Sequence, residues 1–213
     1  MMNACEHFRA ALAAFPLVAI LRGIRPFEAQ AIGDVLIGNG WQLLEVPLNS
    51  PDPFASIATL ARAFPRALVG AGTVLSAAQV QQVHAAGGRL VVAPNFDAEV
   101  VREAVRLDMA CLPGVFTASE AFAALAAGAT AIKLFPAEMI PPVGVKALRA
   151  VLPADALVLP VGGISPGNMA EYRAAGANGF GIGSALYRPG ASAADVEQRA
   201  RDFAAAWAGT IRA

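Results

Sequence analysis

The stretch Ala126-Ala127-Gly128-Ala129-Thr130-Ala131-Ile132-Lys133-Leu134-Phe135-Pro136 decides the fold. It leaves an alanine-rich segment of helical pattern, stops at Gly128, and enters a short β-rich apolar run that ends on proline. A glycine just past a helix supplies the left-handed residue that ends it. The same stop recurs at Asn39-Gly40, Ala86-Gly87 and Ala175-Gly176, each followed by another apolar run. Eight such runs are found, at 17–21, 43–48, 67–69, 90–93, 109–112, 131–135, 157–161 and 179–182, with starts 19 to 26 residues apart. That spacing holds one strand, one helix and two loops. Helix starts stand between the runs. Pro26 sits at a first turn, and Ser76 precedes Gln79 by the capping-box interval. Asp97, Thr117 and Ser165 stand where N-caps belong.

Runs that are apolar throughout are buried on both faces, as parallel strands are. The pattern therefore predicts an α/β fold: a single (β/α)8 TIM barrel over residues 1–213, with an extra N-terminal helix before Leu17 that plugs the barrel bottom. An open doubly wound sheet is the competing architecture. It is disfavoured because no Gly-x-Gly-x-x-Gly follows the first run.

Composition narrows the function. The 213 residues are 56% hydrophobic and 15% charged, with 16 Lys+Arg against 16 Asp+Glu. Such a chain can bury a sizeable core and is not a disordered one. A net charge of zero offers nucleic acid no broad basic field. Much of the apolar content is alanine, and no stretch of about 18 apolar residues escapes a charge, Pro or Gly, so no membrane partner is expected. Glu6, His7 and Arg9 interrupt the place where a secretory signal would be apolar. Cys5 and Cys111 suggest neither a disulfide framework nor a metal-ligand spacing. A cytoplasmic location is the expectation. His7 and His84 are the only histidines, and no His/Asp/Glu cluster at ligand spacing appears, so neither a metal nor another cofactor is expected.

In a barrel, chemistry belongs at the C-terminal strand ends. These ends carry Arg22, Glu45, Asn49, Thr73, Asn95, Lys133, Gly162-Gly163 and Gly183-Ser184. Lys133 and Glu45 interrupt runs expected to be buried. Desolvation lowers a lysine pKa and frees the amine to attack a carbonyl. It raises a glutamate pKa, which suits proton transfer near neutrality. The competing reading of both is a structural ion pair with each other or with Arg22. Arg22 can take a carboxylate in bidentate fashion, or form a rim salt bridge. Thr73 can bond the same carboxylate or cap a helix. Glycines after the seventh and eighth strands suit phosphate, with a short helix start expected at Ser184. Trp41, Trp207, Tyr187 and Cys111 read as packing residues, and His84 as a surface residue.

Several motifs in order resemble the bacterial family of 2-keto-3-deoxy-6-phospho-sugar-acid aldolases. They are Leu44-Glu45-Val46-Pro47-Leu48, Val69-Gly70-Ala71-Gly72-Thr73-Val74-Leu75, Ala131-Ile132-Lys133-Leu134-Phe135-Pro136-Ala137, Pro160-Val161-Gly162-Gly163-Ile164 and Gly181-Ile182-Gly183-Ser184. The resemblance runs from residue 17 to about residue 207. It implies a class I aldolase with Lys133 as the Schiff-base lysine and Glu45 as general acid and base. Thr73 would position the pyruvate part, and Gly162, Gly163, Gly183 and Ser184 the phosphate. Asn49, Pro94, Phe135 and Val161 join Arg22 among the implied substrate contacts. The implied partners are a phosphorylated 2-keto-3-deoxy sugar acid and pyruvate, and the implied assembly is a homotrimer.

Within that family, Val161 before Gly162-Gly163, Leu48-Asn49-Ser50, Arg22 and Asn95 look like the type that acts on the 6-phosphogalactonate-derived substrate. Ala137-Glu138-Met139 departs toward the gluconate-type pattern. A gluconate-type or dual-specificity aldolase is the near alternative. A phosphate-binding barrel isomerase or decarboxylase is the distant one, and Ala131 and Pro136 stand at the acidic positions of the decarboxylase motif. A phosphosugar sensor would leave the two buried charges without a reason.

Overall fold

The computed structural model describes residues 2–210; Met1 and residues 211–213, included in the expected domain, lie outside the described residues. After α1 (Ala4–Ala14), strands and helices alternate: β1 (Leu17–Ile20), α2 (Pro26–Gly38), β2 (Leu43–Pro47), α3 (Pro53–Ala63), β3 (Leu68–Gly72), α4 (Ala77–Ala85), β4 (Leu90–Val92) and α5 (Ala98–Arg106). Then come β5 (Ala110–Leu112), β6 (Gly114–Val115), α6 (Ala118–Ala126), β7 (Ile132–Leu134), α7 (Pro142–Arg149), β8 (Val158–Pro160), α8 (Met169–Ala174), β9 (Phe180–Ile182) and α9 (Ala193–Thr210).

Every strand pairing is parallel. One sheet has six strands in the order β5-β4-β3-β2-β1-β9, and the other has three in the order β6-β7-β8. Two features connect them. Only Pro113 separates β5 from β6 along the chain, and a bridge pairs Val161, just past the end of β8, with Gly181 within β9.

The sequence reading holds in most elements. Pro26 opens α2, and Asp97 and Thr117 cap α5 and α6 through their side chains. Gly40, Gly87, Gly128 and Gly176 all adopt positive φ after their helices. Several places differ. The fifth run is followed by a second short strand, β6, because Pro113 has no N–H to continue the ladder. The third strand runs on through Gly72. Ser165 caps no helix: its N–H donates to Asn168 Oδ1, and α8 begins only at Met169.

Alternation along the strands sorts side chains into two layers. Leu44 and Val46, Ile132 and Leu134 pack outward against the helices. Val18, Leu43, Leu68, Leu90, Val92, Ala110, Leu112, Ala131 and Leu159 form a second cluster, joined by Phe8, Ala11 and Leu12 of α1. Strands of both sheets thus meet one apolar filling, and α1 covers one end of it. Asn3 and Glu6 fix the start of that helix in a reciprocal capping box. Phe8 is fully buried there. Phe8→Ala is expected to cost about 3–5 kcal/mol of stability, read as a lowered midpoint in equilibrium denaturation.

Candidate active site

The inward layer places the two charged strand residues. Glu45 follows Leu43 by two positions, and Lys133 follows Ala131 by two, so both continue the inward-facing rows. They sit one step above the apolar filling, among Ile20, Val161 and Gly181. Both are buried, Glu45 at 2% and Lys133 at 7% relative exposure.

Burial dominates their electrostatics. It pushes the Glu45 carboxyl from 4.5 up to about 7, against the opposing pull of Lys133 and Arg22. Burial also pushes the Lys133 amine below its ordinary value; Glu45 opposes this and Arg22 adds to it. Both shifts follow from withholding water from the charged form. The ion pairs found among the described residues are Arg89–Asp108, Arg102–Glu99, Arg106–Glu103 and Arg201–Glu197, so Glu45 and Lys133 are in none of them. Glu45 Oε2 is buried without a hydrogen-bond partner. The Lys133 ammonium position lies 4.5 Å from the centroid of the Phe135 ring.

Gly72 creates the space for that carboxylate. A Cβ there would stand 1.9 Å from Glu45 Oε2. The next residue, Thr73, has φ 57°, a left-handed conformation that a β-branched residue rarely adopts.

A cleft of about 700 Å³ opens above the pair. Arg22, Glu45, Lys133, Phe135, Val161, Gly162, Gly163, Gly183 and Ser184 line it. Of the residues expected from sequence, Asn49, Thr73 and Pro94 are not in its lining. The cleft lies over the β1, β7, β8 and β9 side, whereas Thr73 and Pro94 end β3 and β4. Asn49 is nevertheless tied to it. Arg22 Nη1 donates to Asn49 Oδ1 at 2.6 Å, and beside it the Gly23 N–H donates to Ser50 Oγ at 2.9 Å. These two bonds brace the β1 exit against the β2 exit.

After β9, the short helix expected at Ser184 is absent. The chain makes a turn, with Leu186 and Tyr187 N–H groups donating to the Gly183 carbonyl at 2.8 and 3.0 Å. Arg188 then precedes Pro189, a position that disfavours helix. Sequence reasoning missed Arg188, whose Nε donates to the Ser184 carbonyl at 2.9 Å and which lines the cleft. It also missed the role of Gly72 and the cleft position of Glu138. No local pattern marks Arg188 or Gly72, since each is placed by strands distant in sequence.

Tyr187 is buried and donates its O–H to the Glu28 carboxylate at 2.9 Å. Trp41 packs edge-on against Phe15 and Phe203. Burial pushes the Cys111 thiol up to about 12, in keeping with a core residue. Among the described residues, no group of three or more His, Cys, Asp or Glu could hold a metal ion, and no helix is long and apolar enough to cross a membrane.

A desolvated amine and a desolvated carboxyl, buried on parallel strands beneath a glycine-rimmed cleft, are suited to carbonyl chemistry through an imine, as in a carbon–carbon lyase. The chain belongs to the KDPG and KHG aldolase family, which it matches over residues 9–200. It is 52% identical to a probable 2-dehydro-3-deoxy-6-phosphogalactonate aldolase of Rhizobium meliloti (strain 1021), over 87% of this chain and 88% of that protein. It is 47% identical to the 2-dehydro-3-deoxy-6-phosphogalactonate aldolase of Escherichia coli (strain K12), over 90% of this chain and 94% of the relative. The solved structure of native KDPGal superposes with a TM-score of 0.92 at 46% identity, over 93% of this chain and 97% of that one.

Gly72→Ala tests the space reserved for Glu45. The added methyl must displace the carboxylate, and aldol cleavage is expected to slow by about 10²-fold or more, the scale of a lost acid–base group. Steady-state kinetics on the folded variant reads this.

Proposed function

We propose that this chain is a class I aldolase that reversibly cleaves 2-dehydro-3-deoxy-6-phospho-D-galactonate to pyruvate and D-glyceraldehyde 3-phosphate. The observation that carries the reading is Lys133: a buried strand lysine, held toward its neutral form by desolvation, beside a glutamate raised to about 7. The names and identities of the relatives above support the substrate.

In the mechanism, neutral Lys133 attacks the C2 ketone and the carbinolamine loses water to give an iminium. The iminium takes up the electron pair when the C3–C4 bond breaks, leaving an enamine. Glu45 accepts the C4 hydroxyl proton, through water, as the aldehyde leaves. It then returns a proton to C3, and hydrolysis of the imine releases pyruvate and regenerates the amine. Phe135 packs beside the Lys133 amine. Arg22, held by Asn49, takes the substrate carboxylate. Thr73 and Pro94 shape the pyruvate end, with the unusual backbone of Thr73 consistent with strain retained at a working site. The phosphate lies against Gly162, Gly163, Gly183 and Ser184, where backbone groups can approach it closely.

Val161 lines the cleft with an apolar surface. A threonine there could bond the C4 hydroxyl of one epimer, and its absence relaxes discrimination by only about 0.5–1.5 kcal/mol. Some cleavage of the gluconate-derived epimer belongs to the proposal. So do a closed (β/α)8 barrel in a single domain, a homotrimeric assembly and a cytoplasmic location. The barrel is supported by the bridge between β8 and β9 and by the apolar filling shared by both sheets.

Borohydride reduction with pyruvate, followed by peptide mass mapping, is expected to place a reduced adduct on Lys133, and Lys133→Ala should lose both adduct and turnover. An adduct elsewhere, or none in a protein that binds pyruvate, would remove the imine mechanism. The pH profile checks Glu45. Its carboxylate must be ionised to accept a proton, so kcat/KM should rise as pH increases through about 7. Glu45→Gln should abolish that limb; an unchanged limb would assign it to another group.

A further inference from the structure

Glu138 follows Lys133 by five residues on the same β7 exit, in the 3-10 turn Ala137–Met139. The backbone of this turn is pinned from two sides. The Ala137 N–H donates to the Val161 carbonyl at 2.9 Å, and the buried Tyr172 O–H donates to the Ala137 carbonyl at 2.9 Å. From this anchor the side chain lies over the loop at 162–163. A Cβ on Gly162 would stand 2.2 Å from Glu138 Oε2, and one on Gly163 would stand 2.6 Å from Glu138 Cγ. Both glycines have positive φ, at 105° and 63°. They therefore keep clear the space that the Glu138 side chain fills. Glu138 lines the cleft, and among the described residues it appears in no side-chain hydrogen bond or ion pair.

We propose that Glu138 is a specificity-determining residue that accepts a hydrogen bond from the C5 hydroxyl, on the chain linking the keto-acid end of the substrate to its phosphate. This rests on the aldolase reading above. An ionised carboxylate is an acceptor only. It cannot serve the substrate carboxylate or phosphate, because like charges repel. The neutral donors that such a substrate offers are its hydroxyls, and a hydroxyl bonded to a carboxylate makes a strong, charge-assisted bond. The other carboxylate of the cleft, Glu45, is buried beside Lys133 and engaged in proton transfer. The Val161 side chain, at the neighbouring strand end, offers no polar atom. Arg22 and Arg188 line the same cleft and offset the negative charge that Glu138 places near the phosphate.

The test compares condensation of pyruvate with two phosphorylated aldehydes: D-glyceraldehyde 3-phosphate and 3-phosphooxypropanal, which lacks the hydroxyl. Melting curves verify that each variant is folded. Glu138→Ala is expected to lose at least about tenfold in kcat/KM with the hydroxylated aldehyde, and little with the deoxy one. Glu138→Gln, whose amide oxygen still accepts, should recover much of the loss. An equal loss on both aldehydes, no loss, or a gain from relieved repulsion of phosphate would each overturn the proposal. Wild-type protein is first trapped with pyruvate. Failure there sinks the aldolase reading itself, whereas successful trapping with an indifferent Glu138→Ala sinks only the role of Glu138.

Discussion

The structure depends on withholding water from two ionisable side chains. A buried charge is costly unless it is paired, bonded or neutralised. Glu45 and Lys133 avoid close pairing, and the direction of both shifts is toward the neutral form. A tight ion pair would hold the lysine protonated and the glutamate ionised, which is the wrong state for an attacking amine. Separation within an apolar layer keeps both available. Arg22 adjusts the balance, since its charge favours an ionised Glu45 and a neutral Lys133 at once.

The surrounding fold supplies that layer. Parallel strands give each inward row a small stack of side chains, apolar below and polar at the C-terminal end. Phe8, Ala11 and Leu12 of α1 join the apolar filling, with Leu43 and Ala131 beneath the charged pair. The clearances are local. Gly72 makes room for one carboxylate, and Gly162 with Gly163 for another. Glycine at these points thus removes a side chain where a neighbouring element places an acid. The exits of β1 and β2 are held together by Arg22–Asn49 and Gly23–Ser50 bonds, so the arginine reaches the cleft from a fixed base.

Much was legible in the sequence because it is written in local rules. The helix stops at Gly40, Gly87, Gly128 and Gly176 and the caps at Asp97 and Thr117 depend on neighbours within one turn. The apolar runs give parallel strands directly, and a lysine or glutamate inside such a run announces a desolvated group. Period-two alternation carries the further information that Glu45 shares a face with Leu43, and Lys133 with Ala131. What the sequence by itself determined was therefore the succession of βα units and the identity of the two buried charges. The tertiary structure decided which strand ends share one cleft. Arg188 and Glu138 line it, Asn49 accepts a hydrogen bond from Arg22, and Thr73 and Pro94 lie outside its lining. It also decided that Gly72 and Gly162 face carboxylates, and that Pro113 splits a strand. These outcomes arise from the packing of segments distant along the chain, which no local pattern records.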